Sequence, residues 1–297
     1  MMYFIIQNDD SIFNDGKECE DLVKLLSKSP FKYAHSYIFS TLEGLSDIDF
    51  ENDDIDKDMT IPVGTLEFVR KFFNILGYDD VLHPIEIPFF LQGADFTKRD
   101  YHICTYEDLP KFGEVFLKDV SVLKQFGAIP TSGDRAQGVV KEMSKVLNPD
   151  GGYIESFNYA AHRYSVSEIV DIISEYRVFV YRDEVVGVYY YNGDVLTFPD
   201  SDVIKEMIEQ IIYMRTYKRI LLPQSYTLDV GVSDRGTFLL EMHNFVSCGT
   251  YGFQGSESLI QMYIDGIRFE KDVIKENPNM YLYDAKTIRR YCDEEKD

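Results

Sequence analysis

The chain has 297 residues, 45% of them hydrophobic and 27% charged, with a formal net charge of −21. That composition suits a soluble globular protein of about two domains, and the surplus of acid excludes a general nucleic-acid binder, which needs a basic surface to neutralise phosphates. No apolar run approaches a membrane span, the start MMYFIIQNDD lacks the basic region of a signal peptide, and Cys19, Cys104, Cys248 and Cys292 show no zinc spacing, so reduced thiols in a cytoplasmic compartment are expected.

MYFIIQ (2–7) reads as a buried strand and EDLVKLLSKS (20–29) as a helix, from its apolar spacing. The acid-rich DIDFENDDIDKDM (47–59) reads as a solvated loop and lacks the glycine of a calcium-binding loop. PVGTLEFVRKFFNILG (62–77) predicts a helix with a loop at its start, with Leu66, Val69, Phe73 and Leu76 on one face. HPIEIPFFL (83–91) carries two prolines and reads as an extended edge or connector. The first hundred residues thus alternate strand and helix, as a small α/β unit does.

Beyond them, GEVFLKDV (113–120) predicts a strand and TSGDRAQG (131–138) a small polar loop able to cover a nucleotide. GYIESF (152–157), IVDIISEYRVFVYRD (169–183) and EVVGVYYYNGDVL (184–196) are strand-rich in β-branched and aromatic residues. SDVIKEMIEQIIYMR (201–215) predicts a helix with Ser201 at its N-cap. The basic RTYKR (215–219) is either a phosphate-attracting cluster or a solvated helix end. Residues 228–244 form a hairpin, GSESLIQMYIDGIRF (255–269) a further helix, and DEEKD a frayed tail. The class is α+β.

The hairpin LDVGVSDRGTFLLEMHN (228–244) turns near SDRG. If Ser233 faces Thr237, Asp229 lies directly opposite Glu241, where like charges repel unless a cation sits between them. Leu228, Val230 and Val232 would then form the core side with Leu240 and Met242, and a slip of one residue would break the pair. Asn244 offers an amide oxygen suited to a hard cation such as Mg²⁺. Strict alternation puts it on the face away from Glu241, so the strand would have to bend or end between them. The alternative is two acids in water on an edge hairpin. Upstream, Lys118 sits in the apolar VFLKDV and Lys124 follows in SVLKQFG; each either meets an anion or snorkels at a strand end. Glu175 and Arg177, two apart in EYRVFV, share one strand face. Arg177 suits bidentate phosphate binding, or a cross-strand Glu–Arg bridge. No P-loop, dinucleotide fingerprint, nucleophile elbow or kinase motif set is present.

In this order, Lys118, Lys124, Glu175-x-Arg177, Asp229 and Glu241-x-x-Asn244 resemble an ATP-grasp protein. The set most resembles the phage- and bacteria-associated clade known for a characteristic arginine and two lysines. VFLKDVSVLKQFG, SEYRVFVYRDEVVG, YTLDVGVSDRGTFLLEMHNFVSCGTYG and, more weakly, IPVGTLEFV carry the resemblance, over most of residues 61–253. It implies an ATP-grasp fold preceded by a small α/β domain. The divisions expected from it are 1–108 (the pre-grasp domain), 109–170 (a lid-like subdomain) and 171–297 (the subdomain with the hairpin).

The same resemblance implies ATP and Mg²⁺ as cofactors. Lys118, Lys124, Glu175 and Arg177 would form the nucleotide-binding set, with Lys124 and Arg177 also catalytic, Arg177 on the γ- or acyl phosphate. Asp229, Glu241 and Asn244 would be the metal ligands, SVSEIV (165–170) would border the adenine, and His243 reads as a spectator. The implied activity is a carboxylate–amine or carboxylate–thiol ligase acting through an acyl phosphate. Its partners would be a small-molecule or peptide carboxylate and an amine acceptor, without nucleic acid or membrane. EYRVFV also resembles the eukaryotic cell-division-cycle relative of these enzymes, an assembly chaperone for a translation initiation factor; the ending LEMHN fits the ligase-like clade better. A fortuitous acid pair in an ordinary α+β domain is the third possibility.

Overall fold

An uninterrupted apolar run forms the central strand of the first unit, β1 (Met2–Gln7), whose last four residues are buried. It is flanked by the parallel strands β2 (His35–Ser40) and β3 (Thr60–Val63) in the order β2-β1-β3. Between β1 and β2 runs helix α1 (Lys17–Leu26), because parallel neighbours need a crossover. The computed structural model describes residues 2–8, 17–28, 35–78, 85–120, 126–147, 153–155, 157–246, 248–253, 257–276 and 282. Helix α2 (Leu66–Ile75) is shorter than the expected 62–77. Pro62 and Val63 belong to β3, all four residues of which are buried, and the helix starts where the Thr65 hydroxyl accepts from the Phe68 amide. The acid-rich stretch 47–59 is anchored by buried Phe50 and Ile55.

A short helix α3 (Ala94–Thr97) leads into the second sheet. Its strands are β4 (Tyr101–Cys104), β5 (Glu114–Asp119), β6 (Ile129–Ser132) and, later in the chain, β9 (Tyr164–Glu168). They pair antiparallel in the order β4-β9-β5-β6. The expected boundary at 108/109 therefore falls between β4 and the sheet it pairs into. TSGDRAQG is not a loop: Ser132 ends β6, and α4 (Gly133–Met143) begins at once. Ala136 and Val140, four apart, are fully buried against Leu117, Tyr164 and Val166, and that burial overrides the polar composition of the segment. A small two-stranded ribbon, β7 (Lys145–Leu147) with β8 (Tyr153–Glu155), follows α4.

The third sheet holds β10 (Ser174–Tyr181), β11 (Glu184–Gly193), β12 (Ser225–Ser233) and β13 (Gly236–Asn244), all antiparallel in the order β11-β10-β12-β13. Strand begins only at Ser174, so 169–173 is a connector rather than part of a long strand. Helix α5 (Ser201–Tyr217) lays Ile204, Met207, Ile208 and Ile211 on one face of this sheet. Its N-cap is Asp200, whose carboxylate accepts from the Asp202 amide, and not Ser201. RTYKR ends this helix, with Arg215 ion-paired to Asp183 and donating to the Pro223 carbonyl; of the two readings of this cluster, the helix end is the one realised. No described helix is long and apolar enough to cross a membrane.

Helix α6 (Glu257–Glu276), longer than the expected 255–269, passes behind β12 and β13 and joins the third sheet to the core of the first. It approaches so closely that a Cβ on Gly266 would lie 2.1 Å from the Phe245 carbonyl oxygen. Gly266→Ala should therefore push α6 off the end of β13 and cost about 1–3 kcal/mol. Urea unfolding checks this, and an unchanged midpoint would contradict the contact.

Candidate active site

Three neighbouring strands bring three charged side chains into one row. Arg177 of β10 pairs in register with Asp229 of β12, which pairs with Glu241 of β13. The turn behind this row differs from the expected one. Ser233 faces Gly236 rather than Thr237, across Asp234 and Arg235, with Gly236 at φ 94°. That tighter turn alone would shift the register by one. An irregularity at Leu240 restores it, so that Val230 pairs with Leu239 and Asp229 with Glu241. As a consequence Leu239, not Leu240, joins Leu228, Val230 and Met242 in the core, while Leu240 lines a cleft.

Arg177 and Asp229 are both buried and form a bidentate pair. Nε donates to Oδ1 and Nη2 to Oδ2, each at 2.7 Å. Nη1 donates to the Gly249 carbonyl at 2.9 Å, and the guanidinium lies 4.8 Å from the Tyr251 ring centroid. Burial by itself would raise the Asp229 pKa, yet the hydrogen bonds from Arg177, with His243 nearby, hold it below the usual carboxylate value. Glu175 is not the partner of Arg177. Its carboxylate accepts from the Tyr191 hydroxyl at 2.9 Å and from Asn192 Nδ2 at 2.7 Å, and Tyr191 stacks on Tyr251. Burial, with Asp229 and Glu175 close by, pushes the Tyr191 phenol well above its ordinary pKa, so it remains a donor.

Lys118 reaches the row from β5 of the facing sheet. Its Nζ lies 2.5 Å from Glu86 Oε1 and 2.7 Å from Glu241 Oε2, which sets aside the snorkelling alternative. Burial would lower its pKa, but the two carboxylates outweigh burial and raise it. Lys124 lies outside the described residues.

Asn244 is not brought to the acids. Strand β13 runs on through it without the bend that the expected ligand set required. Alternation then carries its side chain to the other face, where Nδ2 donates to the Gly266 carbonyl at 3.1 Å and to Glu270 Oε1 at 2.7 Å. The residue that does join Asp229 and Glu241 is His243, with Nε2 at 3.3 Å from Glu241 Oε2 and 3.6 Å from Asp229 Oδ2. Burial would lower its pKa, and Glu241 and Asp229 together raise it. Its place could have been read from the sequence, because Glu241 and His243 are two apart on a strand.

The row opens into a cleft between the two sheets. Phe116, Ala128, Ile169, Val170 and Ile172 form an apolar wall, and Glu86, Lys118, Glu175, Asp229 and Glu241 a charged one. Ser165, Ser167 and Glu168 complete the wall formed by the SVSEIV segment. The lining holds five carboxylates (Glu86, Glu168, Glu175, Asp229, Glu241) against the cations Arg99 and Lys118. An anion as large as a polyphosphate therefore needs added positive charge to enter. At the rim, Arg235 in the hairpin turn holds Glu168 with two hydrogen bonds of 2.7 Å and donates to the Lys98 carbonyl, tying the turn to the facing sheet.

A family model for the ATP-grasp domain, that of the second family in the clade named for one arginine and two lysines, matches residues 96–259, more than half of the chain. The chain belongs to this ATP-grasp family. The match covers β4 through β13, hence both sheets that face the cleft. Among solved structures, the ATP-grasp chain is similar to a D-alanine–D-alanine ligase from Bacillus anthracis. That match has a TM-score of 0.52 at 11% identity and covers 92% of this chain and 99% of the ligase. It is also similar to the D-cycloserine synthetase DcsG, with a TM-score of 0.54 at 8% identity, covering 90% of this chain and 99% of that one. At such identities the likeness is one of fold. No curated protein matches the chain in sequence.

ATP-grasp enzymes use ATP and typically Mg²⁺. The donor chemistry here suits that metal, since Asp229 and Glu241 offer facing carboxylates and Mg²⁺ takes one or two carboxylates while leaving positions for water and phosphate oxygens. Among the described residues no group of three or more His, Cys, Asp or Glu side chains is arranged to hold a metal ion, so a closed protein cage is not what these residues build.

Proposed function

We propose that this protein is an ATP- and Mg²⁺-dependent carboxylate–amine ligase that works through an acyl phosphate. The observation that carries the proposal is the row Arg177–Asp229–Glu241, met by Lys118 in the cleft between the two sheets. In the reaction, an oxygen of the substrate carboxylate attacks the γ-phosphorus. The bond to the β–γ bridging oxygen breaks and ADP leaves. The lone pair of the amine then attacks the acyl carbon, phosphate departs, and the amine proton goes to solvent. A thiol in place of the amine would give a thioester by the same route. This chemistry asks for charge neutralisation and positioning more than for a nucleophile from the protein.

The side chains divide that work. Lys118, with Lys124 as a second lysine, would meet the phosphates. Bound Mg²⁺, held by Asp229 and Glu241, would supply charge neutralisation at the transferring phosphoryl group. Arg177 grips Asp229, fixing that carboxylate, and is placed two residues from Glu175 on the same strand. His243 would stand against both carboxylates in the place that was expected for Asn244. Tyr191 and Asn192 hold Glu175 at the wall of the cleft. The apolar wall around Ile169 and Val170 would take the adenine. The first sheet with its helices would form the pre-grasp domain, the second the lid-like subdomain and the third the subdomain that carries the metal carboxylates.

ADP formation by the purified chain should require Mg²⁺ and should rise when a carboxylate donor is supplied together with an amine or peptide acceptor. Tight ATP binding with no ADP from any acceptor pool, together with recovery of a stoichiometric protein partner, would replace this reading with that of an ATP-binding assembly factor.

A further inference from the structure

Glu86 stands upstream of the family-matched segment 96–259, in the connector that leads from the first sheet. It is only 2% exposed, yet it lines the cleft, and its carboxylate lies 2.5 Å from Lys118 Nζ. Its backbone sits at φ 52°, in the left-handed region. That conformation costs a residue with a Cβ about 1 kcal/mol or more, and glycine or asparagine would make the same bend more cheaply. The bend is held by the Met242 amide, which donates to the Glu86 carbonyl at 2.8 Å, right beside Glu241. A buried acid at a strained position is thus locked against the strand that carries Glu241.

One carboxylate is enough to neutralise Lys118, and Glu241 already supplies it. Glu86 adds a second, and leaves an excess negative charge at the ammonium. Carboxylate and phosphate oxygens are acceptors of the same kind for an ammonium N–H. They compete for the same three donors, and the competition is strong where water is scarce.

We propose that Glu86 is a built-in stand-in for nucleotide phosphate. It holds Lys118 extended along the cleft, and nucleotide binds by taking an N–H of Lys118 away from it. Glu86 is then a positioning residue that sets nucleotide affinity through Lys118. The inference rests on the reading above that Lys118 meets phosphate.

The test is isothermal titration of ATP without divalent metal into the full chain and its variants. Glu86→Gln keeps the size and removes the charge, and it should bind ATP about tenfold more tightly than the unmodified chain. Glu86→Asn, which tolerates the left-handed backbone, should shift affinity the same way and serves if the glutamine variant folds poorly. In a Lys118→Met background the gain should shrink to less than about twofold, because the lysine that mediates it is gone. A merely structural role for Glu86 would weaken binding or leave it unchanged. Equal or weaker affinity in folded Glu86→Gln and Glu86→Asn overturns the proposal and leaves the nucleotide site standing. A full gain that persists without Lys118 overturns it as well, in favour of plain repulsion. If the unmodified chain binds no ATP with or without Mg²⁺, the nucleotide reading itself fails, and this inference with it.

Discussion

Glu241→Gln should lower Mg²⁺-dependent ADP formation by about 10²–10³-fold while the protein stays folded. The substitution keeps the size of the side chain and removes one of two facing carboxylates. A neutral amide oxygen is a far weaker ligand for a hard dication, and the charge that would hold the metal against the transferring phosphoryl group is lost. The fold should survive because Lys118 keeps its ion pair with Glu86 at 2.5 Å, so no buried ammonium is left alone. Initial rates over a series of Mg²⁺ concentrations separate the possibilities. Partial recovery at high Mg²⁺ points to weakened metal binding, and a uniformly low rate points to lost stabilisation of the transition state. Normal turnover would remove Glu241 from the metal site. The natural control is Asn244→Ala. Asn244 bonds to Gly266 and Glu270 on the far side of β13, so its loss should lower stability with little direct effect on the Mg²⁺ dependence.

The facing of Asp229 and Glu241 is legible in the sequence, although it is reached through the wrong turn. Pairing Ser233 with Thr237 and an unbroken ladder gives the same partner as pairing Ser233 with Gly236 and one extra residue at Leu240. Two one-residue errors cancel, because a bulge shifts register by as much as the turn does. The error surfaces at Leu239 and Leu240, whose core and cleft positions are exchanged. Alternation also points to the far side for Asn244, and the bend needed to bring it back is not present. The alternation that removes Asn244 is the one that places His243, so the same rule, applied without exception, reads both residues correctly.

Less legible are contacts between segments distant in sequence. The hydrogen bonds of Arg177 to Asp229 span 52 positions, and Lys118 meets Glu86 and Glu241 from a different sheet. Strand periodicity says which face a side chain takes, and says nothing of what the facing element brings to it. The helix at TSGDRAQG escapes a sequence reading for a related reason. Only Ala136 and Val140 are needed to bury its inner face, and two small apolar residues in a polar stretch do not show as a stripe.

Arg177→Met should be the most damaging single change in the cleft. It would leave the Asp229 carboxylate, 6% exposed, without its bidentate partner. Removing one partner of a buried, hydrogen-bonded ion pair costs about 3–5 kcal/mol, a large part of the roughly 5–15 kcal/mol that is typical of a whole domain. His243, 3.6 Å from Asp229, offers a partial substitute when it is protonated. Burial lowers its pKa, but Glu241 and Asp229 raise it overall. A histidine with a raised folded pKa lends stability that is fully present below its unfolded value, about 6.5, and is lost as pH rises through the folded value. The destabilisation should therefore be smaller at pH 6 than at pH 9. Urea midpoints at the two pH values measure this. The double variant Arg177→Met with Asp229→Leu separates stability from chemistry, because replacing both partners of a buried pair with apolar groups is often neutral. Its midpoint should return most of the way to that of the unmodified chain while ADP formation stays absent. A single variant as stable as the unmodified chain would mean that Asp229 never depended on Arg177 for its charge. A double variant that still turned over ATP would take both residues out of the reaction.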